Sequence, residues 1–143
     1  MNFYVKTFNE LTVDELYEII KSRSEIFLLE QNIICQDLDD KDRESLHCFF
    51  FDGKRVIAYL RAFQAEKDSV LIGRVITLEH KKGLGSKLMN QSLEAIKEHF
   101  NPKKICVHAQ TQAEMFYEKM GFTTVSDEYL EEGVPHVNME MFI

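Results

Sequence analysis

Tryptophan is absent from this chain, prolines number two, and no apolar run approaches the roughly 20 residues that a membrane-spanning helix needs. With only Pro102 and Pro135 there is no proline-rich linker, and no repeat or low-complexity tract divides the sequence. Its 143 residues, 45% of them hydrophobic, suit one domain over 1–143 with a core of its own. Cysteine is scarce too. Cys35, Cys48 and Cys106 are odd in number, widely spaced and without a Cys-x-x-Cys pair, which argues against a disulfide framework and against a zinc cluster. They are expected to be reduced, with Cys48 and Cys106 as small buried packing groups, and no metal is expected. Basic charge is in deficit, 17 Lys and Arg against 24 Asp and Glu, for a net charge of -7. That balance argues against nucleic-acid and anionic-membrane partners and suits a cationic ligand. The first residues lack the charged-then-apolar layout of a secretory signal, so a cytoplasmic location is expected.

What is present is most informative between Val70 and Leu88. A β-branched run, Val70 to Leu78, leads into Glu79-His80-Lys81-Lys82-Gly83-Leu84-Gly85-Ser86-Lys87-Leu88. This pattern predicts a strand, a glycine turn and an amphipathic helix. The first N–H groups of a helix lack intrahelical partners and carry partial positive charge, so such a turn can hold phosphate where glycine lets the backbone approach. Spacing then separates the ligands. A P-loop requires Gly, four residues, then Gly-Lys-Ser/Thr, which is not met here. A dinucleotide fingerprint requires a third glycine where Leu88 stands, and Lys103 and Lys104 occupy the region of its ribose-binding acid. A basic residue, two spacers, Gly, one spacer and Gly is instead the pattern that holds the pyrophosphate of coenzyme A, and His80 to Gly85 fits it. A plain tight turn also accounts for two glycines.

The remaining pattern predicts a strand over 2–8, then a helix opened by a Thr12-Val13-Asp14-Glu15 capping box and running to about Leu29, with Val13, Leu16, Tyr17, Ile20 and Phe27 toward a sheet. A polar loop over 31–44 follows. Leu46–Phe51 and Arg55–Ala65 read as a hairpin joined by Asp52-Gly53-Lys54, and a second hairpin leads into the Val70 strand. After the glycine turn come a helix ended by Asn101-Pro102, a strand over 103–109 parallel to the Val70 strand, a short helix over 112–120 stopped by Gly121, and strands over 122–126 and 136–143 around an acidic loop.

This order, with Gln110-Thr111-Gln112-Ala113-Glu114-Met115-Phe116-Tyr117-Glu118-Lys119-Met120-Gly121-Phe122, resembles the GNAT superfamily of acyl-CoA-dependent N-acyltransferases. Arg23 to Gln31, Gln36-Asp37-Leu38-Asp39 and Glu132-Gly133-Val134-Pro135-His136 resemble its ElaA-like branch, and the likeness spans essentially the whole chain. The resemblance implies an α/β (α+β mixed) fold: a mostly antiparallel mixed sheet with a central splayed parallel pair and helices on both faces. It implies acetyl-CoA as co-substrate and transfer of acetyl to a primary amine, on a small molecule or a peptide, by direct attack in a ternary complex. A coenzyme A-binding sensor or degenerate non-catalytic domain, and an enzyme resembling acyl-homoserine-lactone synthases, remain the alternatives, and monomer and homodimer are both open.

Residue by residue, the resemblance puts the pantetheine arm on the edge of Ile76, Thr77 and Leu78, and the pyrophosphate on the N–H groups of Lys82, Gly83, Leu84, Gly85 and Ser86. His80 stands where the family has Arg or Gln. Gln110 takes a place where the family often has Asn, against the cofactor. Tyr117 corresponds to the tyrosine that protonates the departing thiolate, although Ala113, Phe116, Tyr117 and Met120 also form one packing stripe. The amine must lose a proton before attack, since only about one in 2,500 lysine-like amines is neutral at pH 7. Glu30, His47, His108 and His136 are the candidate bases. Arg23, Phe27, Glu30 and Gln31 are expected on the acceptor side, with an Arg23–Glu30 ion pair across the helix as the structural alternative.

Overall fold

A computed structural model describes residues 1–80 and 83–143. Strand β1 (Asn2–Thr7) leads into helix α1 (Val13–Ser24), followed by β2 (Leu46–Phe51), β3 (Val56–Glu66), β4 (Ser69–Thr77), α2 (Leu84–Phe100), β5 (Lys104–Gln110), α3 (Glu114–Lys119), β6 (Thr123–Thr124), β7 (Tyr129–Glu131) and β8 (Val134–Phe142). Among the described residues the strands form one sheet in the order β1-β2-β3-β4-β5-β8-β6, with β7 also paired to β8. All pairings are antiparallel except β4 with β5. This is the mixed α/β, mostly antiparallel sheet with a central parallel pair and helices on both faces that the sequence predicts.

The alternation of each strand divides the core in two. Cys48, Leu60, Ile72, Val107 and Met139 face α2, where Leu88, Met89, Leu93 and Ile96 cover them. Phe49, Tyr59 and Ile76 face α1, where Ile19 and Ile26 cover them.

Strand β4 changes phase midway. Arg61 pairs with Gly73 but Tyr59 pairs with Ile76, so two steps on β3 oppose three on β4, and Arg74 sits at φ +53 as the extra residue. Beyond it Val75 packs with the α2 layer and Ile76 with the α1 layer. The β4–β5 ladder stops at Ile72 opposite Val107, whereas β5 remains paired to β8 as far as Gln110. The two parallel strands therefore part where the bulge begins.

Helix α1 departs from the expected packing face. Its capping box is present, with Glu15 N donating to Thr12 Oγ1 at 3.1 Å and Thr12 N to Glu15 Oε1 at 2.8 Å. Yet Val13 and Tyr17 are exposed, and the buried stripe is Glu15, Ile19, Ser22, Arg23 and Ile26. Its polar members are matched beneath the helix: Lys6 Nζ meets Glu15, Ser22 Oγ donates to the Val56 carbonyl, and Arg23 binds two aspartates. The α-helix ends at Ser24, and Glu25–Glu30 continues it as a π-helical turn. The loop after it holds a short 3-10 turn over Lys41–Glu44.

The final strands also differ from expectation. The predicted strand over 122–126 shrinks to Thr123–Thr124, and the acidic loop contains a hairpin, β7 to β8, turned by Glu132 at φ +50 and Gly133 at φ +75. Two consecutive positive φ values are what a two-residue hairpin turn demands. Cys48 is buried, its thiol pushed up to about 12 by that burial, whereas Cys106 is only partly covered.

Candidate active site

Two structures meet at the splay. On one side is the start of α2. Gly83 holds φ +96 before the helix, and the first intrahelical bond runs from Lys87 N to the Gly83 carbonyl. The N–H groups of Leu84, Gly85 and Ser86 therefore have no partner within the helix. A side chain at Gly85 would meet the Phe116 ring at 3.6 Å and Thr77 at 4.0 Å, so this turn lies against both α3 and the end of β4. Lys82, whose N–H group is expected at the pyrophosphate, lies with Lys81 outside the described residues.

The exposed edge of β4 can be assigned by its ladder. Leu78 N donates to the Ile57 carbonyl at 2.8 Å, and Ile76 opposes Tyr59 in the same register. Backbone groups of an antiparallel strand alternate, so those of Thr77 point away from β3 and into the gap. Of Ile76, Thr77 and Leu78, it is thus Thr77 whose backbone faces the splay, while Ile76 and Leu78 belong to the α1 core layer.

On the other side is a cavity of about 910 Å³ that opens on the α1 face. Arg23, Phe27, Gln31, His108, Gln110, Tyr117 and His136, all singled out in the sequence, line it together with Gly73, Arg74 and Val75 of β4. Glu30 and His47 are not among its walls. Glu30 instead meets His80 Nε2 at 2.8 Å near the surface, and both side chains are substantially exposed. His47 is wholly buried: its Nε2 donates to the Asp42 carbonyl at 2.8 Å and its Nδ1 accepts from the Tyr59 hydroxyl at 2.7 Å. Burial holds the His47 ring below the ordinary imidazole value, so it is neutral and occupied at both nitrogens.

Arg23 does not pair with Glu30. Its Nε donates to Asp37 Oδ2 at 2.9 Å and its Nη1 to Asp42 Oδ1 at 2.7 Å. Arg61 grips Asp39 with both terminal nitrogens, at 2.7 and 2.6 Å, and Arg74 reaches Asp37 Oδ1 at 2.8 Å. Three arginines from α1, β3 and the β4 bulge thus clamp three aspartates of the 37–42 loop, forming a charge-matched wall. The hydrogen bonds of Arg61 hold the Asp39 carboxyl well below the usual carboxylate range. Burial works against the charge of Asp42, but the hydrogen bonds and charges of Arg23 and Arg61 outweigh it and its carboxyl is also lowered.

Tyr117 stands on α3 against Phe116 and Phe122, with ring centroids at 5.2 and 5.7 Å, and is 5% exposed. Burial pushes its phenol up, so it keeps its proton at neutral pH. Gln110 Nε2 donates to Gln31 Oε1 at 3.0 Å and so ties the end of β5 to the π-helical turn. One cavity residue that sequence reasoning missed is Glu131, which meets His108 and comes near His136. The signal was faint: Glu132-Gly133 is a weaker turn dipeptide than Asn-Gly, and Tyr129-Leu130-Glu131 is only three residues long.

Residues 5–143 match the family model of the acetyltransferase (GNAT) domain, and the chain belongs to that family of acetyltransferases. Among its relatives, protein ElaA of Escherichia coli is 34% identical over 137 residues, which cover 92% of this chain and 90% of that protein. The crystal structure of Escherichia coli ElaA superposes with a TM-score of 0.92 over 99% of both chains. UPF0039 protein C11D3.02c of Schizosaccharomyces pombe is 37% identical over 99% of this chain and 97% of its own length. An acyl-CoA N-acyltransferase from Pseudomonas aeruginosa, 29% identical, superposes with a TM-score of 0.92 over 99% of each chain.

Proposed function

We propose that the protein moves an acetyl group from acetyl-CoA to a primary amine by direct attack in a ternary complex. The observation that carries this reading is the splay between β4 and β5, which has helix N–H groups without intrahelical partners at one end and an open cavity lined by Tyr117 at the other. These residues fit the group. The N–H groups of Leu84, Gly85 and Ser86 suit a pyrophosphate, because they have no partner within the helix and Gly83 and Gly85 present no side chain in front of them. The backbone of Thr77 suits an extended amide-bearing arm, which adds to a free strand edge by main-chain hydrogen bonds.

When bound, acetyl-CoA supplies the acyl group as a thioester. The chain has two proton tasks around it. Tyr117 holds its proton at neutral pH and can give it to the sulfur, whose thiolate is stabilised by a donor as charge develops. The amine, protonated when it arrives, must give up a proton within the cavity. The name of the Pseudomonas aeruginosa relative, an acyl-CoA N-acyltransferase, supports the same chemistry.

The test is incubation of the purified protein with acetyl-CoA and a panel of amines while free thiol is followed. Amine-dependent thiol release is the expected result. Thermal stabilisation by acetyl-CoA without release would instead identify a sensor, and at about 100 times Kd that stabilisation is about 2.7 kcal/mol.

A further inference from the structure

Three side chains at the β7–β8 end of the cavity have hydrogen-bonding states that the geometry fixes. His136 Nδ1 lies 2.7 Å from the Val134 carbonyl, which only accepts, so Nδ1 carries the proton. In the neutral ring Nε2 then bears the lone pair. That nitrogen lies 3.7 Å from Glu131 Oε2, too far for a hydrogen bond to the neutral ring and close enough to attract the ring once Nε2 is protonated. The other carboxylate oxygen, Oε1, accepts from His108 Nδ1 at 3.2 Å, which holds Glu131 in place. Tyr129 completes the setting, stacked on the His136 ring at 6.2 Å and edge-on to His108 at 6.4 Å. Among the described residues, the titratable groups against His136 are therefore Glu131 and Tyr129 of β7, with His108 of β5 beyond them. The His136 side chain is only 9% exposed, while His108 and Glu131 are 42% and 44% exposed.

The charge of the remaining wall sharpens this. Of the other carboxylates that line the cavity, Asp37 and Asp39 are held by arginine and offer no free charge to a cationic acceptor, which leaves Glu131 and Glu132 at the β7–β8 turn. Among the described residues the ion-pair partners of Glu131 are the imidazoles of His108 and His136.

We propose that His136 Nε2 is the general base that deprotonates the acceptor amine, and that Glu131, held by His108, is the positioning residue that receives the ammonium and stabilises the imidazolium. The proposal rests on the acyltransfer reading above. The ammonium nitrogen gives one proton to His136 Nε2 and becomes a nucleophile. As its lone pair forms the bond to the acyl carbon and the carbon–sulfur bond breaks, the nitrogen sheds a second proton. The sulfur is protonated by Tyr117, whose proton this second one replaces, and His136 returns the first to water. Ammonium and thioester thus become amide, thiol and one free proton.

Three single variants test it. His136→Gln should lower turnover on the order of 10² or more, abolish the acidic limb of kcat/KM, and leave stabilisation by acetyl-CoA unchanged. Glu131→Gln, a half-exposed change compatible with the fold, should raise KM for the amine more than it lowers kcat, because the arriving ammonium loses its counter-charge. His108→Gln should keep the limb. Nitrogen NMR of the free protein above the titration of the ring should show the His136 proton on Nδ1. Retention of rate and acidic limb in His136→Gln, or loss of that limb in His108→Gln alone, overturns the assignment while leaving the acyltransfer reading intact. No amine-dependent thiol release by the unaltered protein overturns both.

Discussion

Arg23 Nη1 donates to Asp42 Oδ1 across 2.7 Å, with the two side chains 1% and 8% exposed. Asp42 Oδ1 also accepts from Arg61 Nη1 at 3.0 Å, so one carboxylate oxygen answers two buried guanidinium groups. Asp42→Ala should leave both cations short of a partner where water cannot replace it. Removing one member of a buried pair typically costs about 3–5 kcal/mol. For a chain of this size that is a fall in Tm on the order of 10 °C, measurable by thermal denaturation. Because the same loop walls the cavity, the variant should also lose amine turnover at temperatures where it remains folded.

Acid should dismantle this wall in a set order. His47 is held below 6.5 by burial, so the unfolded chain binds a proton there before the folded one does, and its contribution fades as pH falls through that value. Asp39 and Asp42 are held low by Arg61 and Arg23, and each contributes stability above its unfolded value, near 3.9, that is lost as pH falls toward its folded one. Urea midpoints measured down this range should drop steeply below about pH 4. Asp39→Asn should shallow that slope by up to about 1.4 kcal/mol per pH unit, because one differentially titrating group is gone.

Sequence periodicity was most informative where apolar residues meet apolar neighbours. The β2–β3 hairpin, the crossover through α2 and the parallel pairing of β4 with β5 follow from runs such as Leu46–Phe51 and from Asp52-Gly53. Helix α1 was legible as a helix but not in its orientation, because its buried stripe includes Glu15, Ser22 and Arg23, whose partners lie far away in sequence. No local pattern shows that Arg23 will meet Asp37 and Asp42. The bulge at Arg74 was equally hidden, since a positive φ at an arginine is imposed by the ladder on both sides of it and by the clamp on Asp37. The glycine turn and Tyr117 were readable as motifs, whereas Glu131 lies on a strand too short to leave a period.

Gly83 offers a sharper test of the donor end. A side chain there would meet nothing within 4 Å, but φ +96 is a conformation that L-residues rarely adopt. Gly83→Ala should cost about 1–2 kcal/mol if the turn is kept, and should weaken acetyl-CoA binding in proportion as the helix start shifts. Gly83→Glu adds a carboxylate beside the N–H groups that would hold the pyrophosphate. Calorimetric titration should show acetyl-CoA affinity falling further in Gly83→Glu than in Gly83→Ala, and equal affinities would remove the helix start from the cofactor site.

Tyr117→Phe separates packing from chemistry. The ring lies in a core of Phe116 and Phe122, and its hydroxyl forms no hydrogen bond to another described residue, so phenylalanine should preserve the fold with a Tm change of a few degrees at most. If the hydroxyl protonates the departing sulfur, turnover should fall on the order of 10² or more while acetyl-CoA affinity is retained. The loss should shrink with thioesters whose thiols are more acidic, because such leaving groups need less help from a donor. A uniform loss across that series would assign Tyr117 to positioning, and no loss would leave it as a packing residue alone.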